Sequence, residues 1–126
     1  MATKKTLCTE TGLYKSFLDL MKYNTDYMKN MEKSYQNMYA KESTSILINC
    51  SKFFILSFNS FTIEEKIRNI EKVKNDLFTY ELIIKVLVDL KILSVKQFSN
   101  LGLIISKIKS QISGFEKSLN DKKENS

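Results

Sequence analysis

Proline is absent from this chain of 126 residues, and glycine occurs only at Gly12, Gly102 and Gly114. A fold of many short strands and tight turns draws on both residues repeatedly, so their scarcity points to long helices with few joints. Histidine is absent too. That removes the commonest general base and the commonest metal ligand, and with them the paired Glu-x-x-His sequences of a di-metal bundle. The two cysteines, Cys8 and Cys50, stand one near the amino end and one in an apolar run, and make no disulfide framework. No run of about 18 apolar residues is uninterrupted. Lys4 and Lys5 are not followed by the apolar segment of a signal peptide. These absences lead to the expectation of a cytoplasmic protein without a membrane span, a metal or a cofactor. No Gly-rich phosphate loop and no internal repeat occur. Arginine is represented by Arg68 alone. Lysine is a point charge without the planar fork that reads guanine or phosphate bidentately, so any nucleic-acid contact is expected at the backbone.

What is present is apolar periodicity. The clearest stretch is Leu93 to Leu119, where Phe98, Leu101, Ile105, Ile108, Ile112, Phe115 and Leu119 follow one another in alternating steps of three and four. That is one stripe of an α-helix. Ser94 and Gln97 stand at capping-box spacing, with Leu93 and Phe98 flanking them as a hydrophobic staple. Earlier, Leu13, Phe17, Leu20, Asn24, Tyr27 and Met31 form the core stripe of a first helix, opposite a solvated face of alternating sign from Lys15 to Lys29.

The second helix is expected from about 34 to 60, after a joint near Met31 to Ser34 that no proline or glycine marks. Between Ser43 and Thr62 its only charge is Lys52. Leu47, Cys50, Phe54, Phe58 and Phe61 make one stripe, while Ile46, Ile48, Phe53, Ile55 and Leu56 spread apolar surface to the other sides. A helix apolar nearly all round must be buried nearly all round. A domain of this size covers only part of such a surface, so Ile46, Phe53, Ile55 and Leu56 are read as an oligomer interface. Cys50 on the core stripe reads as a small hydrophobe. Thr62 can cap a third helix, with Glu64 and Glu65 in its first turn, where carboxylates suit the helix dipole. Its stripe runs from Ile63 to Leu87, and from Leu77 its apolar face widens to take in Phe78, Leu82, Ile83, Val86, Val88 and Leu90, so this second half is expected to be the better buried. Its carboxylates are scattered among lysines and read as solubilising charge, not as an acid–base pair; no catalytic residue is assigned.

The expected fold is therefore all-α, an antiparallel up-down-up-down four-helix bundle over residues 11–119. Its helices are placed at about 11–30, 34–60, 63–91 and 95–119. Disordered tails are expected at 1–10 and 120–126. Apolar residues make up 43% of the chain, enough for a real core. The formal charge of +6, from 20 basic against 14 acidic residues, permits an anionic partner.

The order of these pieces has a counterpart. Glu32-Lys-Ser-Tyr leads into the apolar second helix. The third ends in Leu82-Ile-Ile-Lys-Val-Leu-Val-Asp-Leu-Lys-Ile-Leu. Ser94-Val-Lys-Gln-Phe follows, and Ile112-Ser-Gly-Phe-Glu-Lys-Ser-Leu closes the last helix. Over roughly residues 13 to 119 this resembles the small four-helix-bundle family that includes the accessory variability determinant (Avd) of diversity-generating retroelements. Its relatives are proteins encoded in intervening sequences of bacterial 23S ribosomal RNA genes. The resemblance implies a homopentameric barrel with no enzymatic activity, bearing positive charge, that binds a reverse transcriptase and its RNA during mutagenic copying of a template repeat. Many members carry proline at the first joint and arginines after it, where Glu32, Lys33 and Ser34 stand here, so the basic patch is thinner. Residues 93–126 hold six basic against three acidic residues. Partner and RNA contacts are accordingly expected at Lys96, Lys107, Lys109 and Lys117, then at Lys33 and Lys41. The alternative is a purely structural or protein-binding bundle of the intervening-sequence type.

Overall fold

A computed structural model describes residues 7–125. Residues 1–6 and Ser126, parts of the two expected tails, lie outside the described residues. Cys8–Glu10 form a single 3-10 turn. Four helices follow: α1, Gly12–Met28; α2, a continuous helix in three pieces, Lys33–Tyr35, Gln36–Ala40 and Lys41–Asn59; α3, Ile63–Asp89; and α4, Val95–Glu124. The described residues contain no strand.

Local chemistry sets most of the ends. The Thr11 hydroxyl accepts from the Tyr14 N–H at 3.2 Å and starts α1. The Thr62 hydroxyl accepts from the Glu65 N–H at 3.1 Å and starts α3. Ser94 and Gln97 exchange two bonds of 3.0 Å, the full capping box at α4. Beside that box Leu93 is buried. α3 closes in a Schellman motif: the Lys91 N–H bonds the Val88 carbonyl and the Ile92 N–H the Leu87 carbonyl. Lys91 takes the left-handed position at φ 62°, where glycine is usual. Between α2 and α3, the Lys66 ammonium donates to the last carbonyls of α2, at Ser57 and Phe58, and fastens the corner.

Four helix–helix contacts close the bundle, and every adjacent pair runs antiparallel. Phe17 meets Phe54 and Asn24 meets Ser43 between α1 and α2. Ser57 meets Lys66 and Cys50 meets Val73 between α2 and α3. Lys74 meets Glu116 and Glu81 meets Lys109 between α3 and α4. Tyr27 meets Asn100 between α1 and α4, which closes the ring. The α2–α3 pairing is the most extensive. Phe17, Leu20, Leu47, Phe54, Ile70, Leu77, Leu87, Leu101 and Ile108 fill the centre. The Phe54 ring lies near those of Phe17, Phe58 and Phe115, at 5.9 to 6.2 Å, and so joins α1, α2 and α4. Cys50 is fully buried, its thiol donating to the Val73 carbonyl at 3.4 Å, as a small core residue would.

Several expectations are corrected. The first joint lies at Lys29 to Glu32, and the last fully buried residue of α1 is Met28, while Met31 packs half-buried against the core from the joint. The Gln36 side-chain amide reaches back to the Lys29 and Met31 carbonyls at 2.8 and 2.9 Å and fixes the joint there. Phe61 lies in the link before α3 and is 100% exposed, because α2 ends at Asn59. The charged tail from Asn120 stays helical through Glu124. Leu119 anchors that last turn in the core, and Lys122 and Lys123 suit the negative end of the dipole.

Candidate interaction surfaces

Since the helices ring the core in chain order, the α1/α2 side and the α3/α4 side of the bundle face opposite ways. Each carries exposed apolar groups. On the first, Ile48 and Ile55 stand out from α2 beside a groove walled by Tyr14, Leu18 and Met21 of α1. Lys52 stands between the two isoleucines and lines the same groove. Leu56 is exposed round the corner toward α3, and Phe53 is half-buried there with the Lys72 ammonium 5.1 Å from its ring centre. Ile46 does not belong to this surface. It is 8% exposed and packed in the core, so the interface assignment made for it is withdrawn: the 100° step per residue turns it inward between Ser43 and Leu47.

On the opposite side, α3 and α4 form a trough with two apolar pits of about 330 and 390 Å³. Leu77, Phe78 and Ile112 line the first. Leu82, Phe98, Gly102 and Ile105 line the second. The Lys109 ammonium and the Glu81 carboxylate, 2.6 Å apart, form the bar that both pits share. Across the first pit Lys74 bonds Glu116 at 3.1 Å, and this bond holds the ammonium above its ordinary pKa. Along the α3 rim of the trough Phe78, Leu82, Val86 and Leu90 make a ridge four residues apart, each between 43% and 62% exposed. The second half of α3 is the better buried, as expected, with Leu77, Tyr80, Ile84 and Leu87 in the core, but this outer apolar row stays open to solvent. The steps of four are legible in the sequence, but their drift of about 40° per step carries the row away from the core stripe.

The six candidate lysines are all exposed, and they do not converge. Lys33, Lys41 and Lys96 lie toward the end of the bundle where α2 and α4 begin. Lys107 and Lys109 are midway along α4, and Lys117 is toward its far end. Lys109 is engaged by Glu81. Among the carboxylates, Asp76 departs from a solubilising role. One of its oxygens is buried without a hydrogen-bond partner, and burial raises its pKa. Burial, together with the Asp76 charge, also pushes the Cys50 thiol far above its ordinary value, so it is no thiolate nucleophile.

Among the described residues no three His, Cys, Asp or Glu side chains gather as metal ligands would. No helix of those residues is long and apolar enough to cross a membrane. Comparison with family models, curated proteins and solved structures gives no match.

Proposed function

We propose that this protein is a non-enzymatic, self-assembling scaffold that serves a diversity-generating retroelement. In this reading it is a homopentamer in the cytoplasm that holds the reverse transcriptase and its template RNA during mutagenic cDNA synthesis. The observation that carries the assembly is the pair of apolar faces on opposite sides of one bundle. Two different faces joined head to tail generate rings. Their patterns also match: Ile48 and Ile55 flank Lys52 on α2, and the two pits flank Glu81 in the trough. In this reading Ile48 and Ile55, about 10.5 Å apart along α2, each enter one pit, and Lys52 meets the Glu81 carboxylate that Lys109 already pairs. Each large apolar side chain so buried contributes roughly 1.5–3 kcal/mol. The polymerase and RNA are what the resemblance implies, and the charge of +6 is compatible with them.

Light scattering on nuclease-treated protein tests the assembly. A mass near five times 14.7 kDa supports the ring, and a clean monomer removes it. A filter-binding salt titration tests the RNA. Phosphate contacts predict a logarithmic slope of about 0.7 per contact on single strands, and no binding at low salt eliminates RNA as a direct partner.

One observation favours a second reading, a protein-binding bundle of the intervening-sequence type without RNA: the candidate lysines do not gather into a patch. The gene's neighbours discriminate. A reverse transcriptase and a near-duplicate repeat beside it support the first reading, and their absence the second.

A further inference from the structure

A broad groove lies away from the trough, between the end of α1 and the first half of α2, with a volume of about 640 Å³. An irregularity in α2 borders it. Over Gln36–Ala40 the helix loosens by one residue, so that the Lys41 N–H bonds the Gln36 carbonyl five residues back. Wide turns of this kind recur at functional sites, where they re-aim side chains. Here the turn is held from two directions. The Gln36 amide is fixed on the α1 end by its bonds to Lys29 and Met31. From below, the Ser43 hydroxyl donates to the Ala40 carbonyl at 3.1 Å and accepts from the Asn24 amide at 3.2 Å.

The lining is unlike that of the trough. Met28, Ala40 and Ile48 supply a small apolar floor. Asn37 and Asn49 supply amides that both donate and accept, and Thr25, Thr44 and Ser45 supply hydroxyls. Two cations, Lys29 and Lys41, line it and no carboxylate does, whereas Glu81 lies in both pits of the trough. Lys29 is already held by Asp26 at 2.9 Å, which leaves Lys41 as the cation facing the groove without such a carboxylate.

We infer that this groove binds a single nucleotide unit, with its phosphate on the Lys41 ammonium, its sugar hydroxyls and base edge on the Thr44, Asn37 and Asn49 side chains, and the face of its base on Ala40 and Ile48. The net positive lining selects an anion, and the mixed amides and hydroxyls match a ring edge that both donates and accepts. The volume falls within the usual 300–1,000 Å³ of small-molecule sites. The chemistry is shared by a free nucleoside monophosphate and by one residue of a single strand. The inference does not depend on the retroelement reading: of the six lysines named for RNA only Lys41 lines this groove, so the other five can fail while the groove binds, and the reverse.

The test is titration of the isotope-labelled full chain, followed by amide chemical shifts, with each of the four ribonucleoside monophosphates, with an eight-residue oligoribonucleotide and with inorganic phosphate. The expected result is saturable shifts confined to the backbone and side-chain amides of Asn37, Lys41, Thr44 and Asn49. Kd should rise tenfold or more in Lys41→Gln and in Asn49→Ala. Both replacements are exposed, and unchanged circular dichroism checks that each variant is folded. Binding of the oligomer at least tenfold tighter than of the monophosphates assigns the site to a strand, and equal binding assigns it to free nucleotide. No shift with any nucleotide at millimolar concentration overturns the inference, as do shifts unchanged in Lys41→Gln or reproduced by inorganic phosphate alone. Assembly mass is measured alongside, so that loss of the oligomer is not mistaken for loss of the groove.

Discussion

The Tyr80 hydroxyl of α3 donates to the Asn24 side-chain carbonyl of α1 at 2.8 Å, across the diagonal of the bundle. Both residues are buried. The Asn24 amide then donates to Ser43, whose hydroxyl lies 3.1 Å from the Met28 sulfur. A polar chain of this kind inside an apolar core is satisfied only in one register, so it fixes how α1, α2 and α3 face one another.

Tyr80→Phe should therefore cost about 1–3 kcal/mol in urea unfolding, because the Asn24 carbonyl is left buried without its donor. A double replacement with Asn24→Leu should recover part of that loss and show strong coupling in a mutant cycle. The pH dependence has a fixed sign. Burial holds the Tyr80 hydroxyl protonated well above its ordinary value of 10.0. Above about pH 10 the unfolded chain loses this proton and the folded chain keeps it, so stability falls by about 1.4 kcal/mol per pH unit. Below pH 10 the contribution is fully present. Denaturant titrations at pH 9 to 11 should show a steeper loss in the parent than in Tyr80→Phe. Equal slopes would mean that the phenol ionises freely in the fold.

Lys91→Gly is expected to stabilise. Lys91 holds φ 62° in the Schellman motif that ends α3, and a side chain there costs about 1 kcal/mol that glycine avoids. The melting temperature should rise by about 3–5 °C. Lys91→Val should lower it, since a β-branched side chain suits that conformation less well than lysine.

The parts of this fold that were legible in the sequence are those written in short-range code. Ser94 and Gln97 announce α4, and the alternating threes and fours place Leu101, Ile105, Ile108 and Ile112 in the core, where they are found. The first joint was not legible, because Glu32 makes no side-chain cap and the joint is held by Gln36, seven residues from the Lys29 carbonyl it caps. Nor could the sequence separate Ile46, which is core, from Ile48, which is surface. On an apolar helix the choice is made by where the neighbours stand. The same holds for Phe78, Leu82, Val86 and Leu90: apolar character announced burial, but a four-helix ring has no further helix to cover them.

For self-association, Ile48→Asp with Ile55→Asp should give a monomer by light scattering while circular dichroism stays unchanged. These side chains are exposed in the single chain, so the charges are solvated when it is alone and buried only in an assembly. Phe61→Asp is the control. Its ring is fully exposed but lies on neither face, and the mass should not change.

If RNA binds along α4, replacing Lys96, Lys107 and Lys117 together by Gln should reduce the salt slope on single strands by about 2, at about 0.7 per lost contact. Lys109→Gln should change it little, because the Glu81 carboxylate at 2.6 Å already neutralises that ammonium. A larger loss from Lys109 than from the other three would place the RNA in the trough instead of along the outer face of the helix.

Gly102 and Gly114 separate chain stability from assembly. Both lie inside α4, and a Cβ at either position would meet nothing within 4 Å. Glycine in a helix interior costs about 0.5–1 kcal/mol relative to alanine, so Gly114→Ala should raise stability by that amount and leave the mass in solution unchanged. Gly102 differs because it floors the pit lined by Leu82, Phe98 and Ile105. Gly102→Leu should also favour the helix, but its side chain fills the pit. Denaturant midpoints for the isolated chain, taken at high dilution, should then rise for both variants, while only Gly102→Leu loses the oligomer at micromolar concentration. An unchanged oligomer in Gly102→Leu would mean that no isoleucine from a second copy enters the trough.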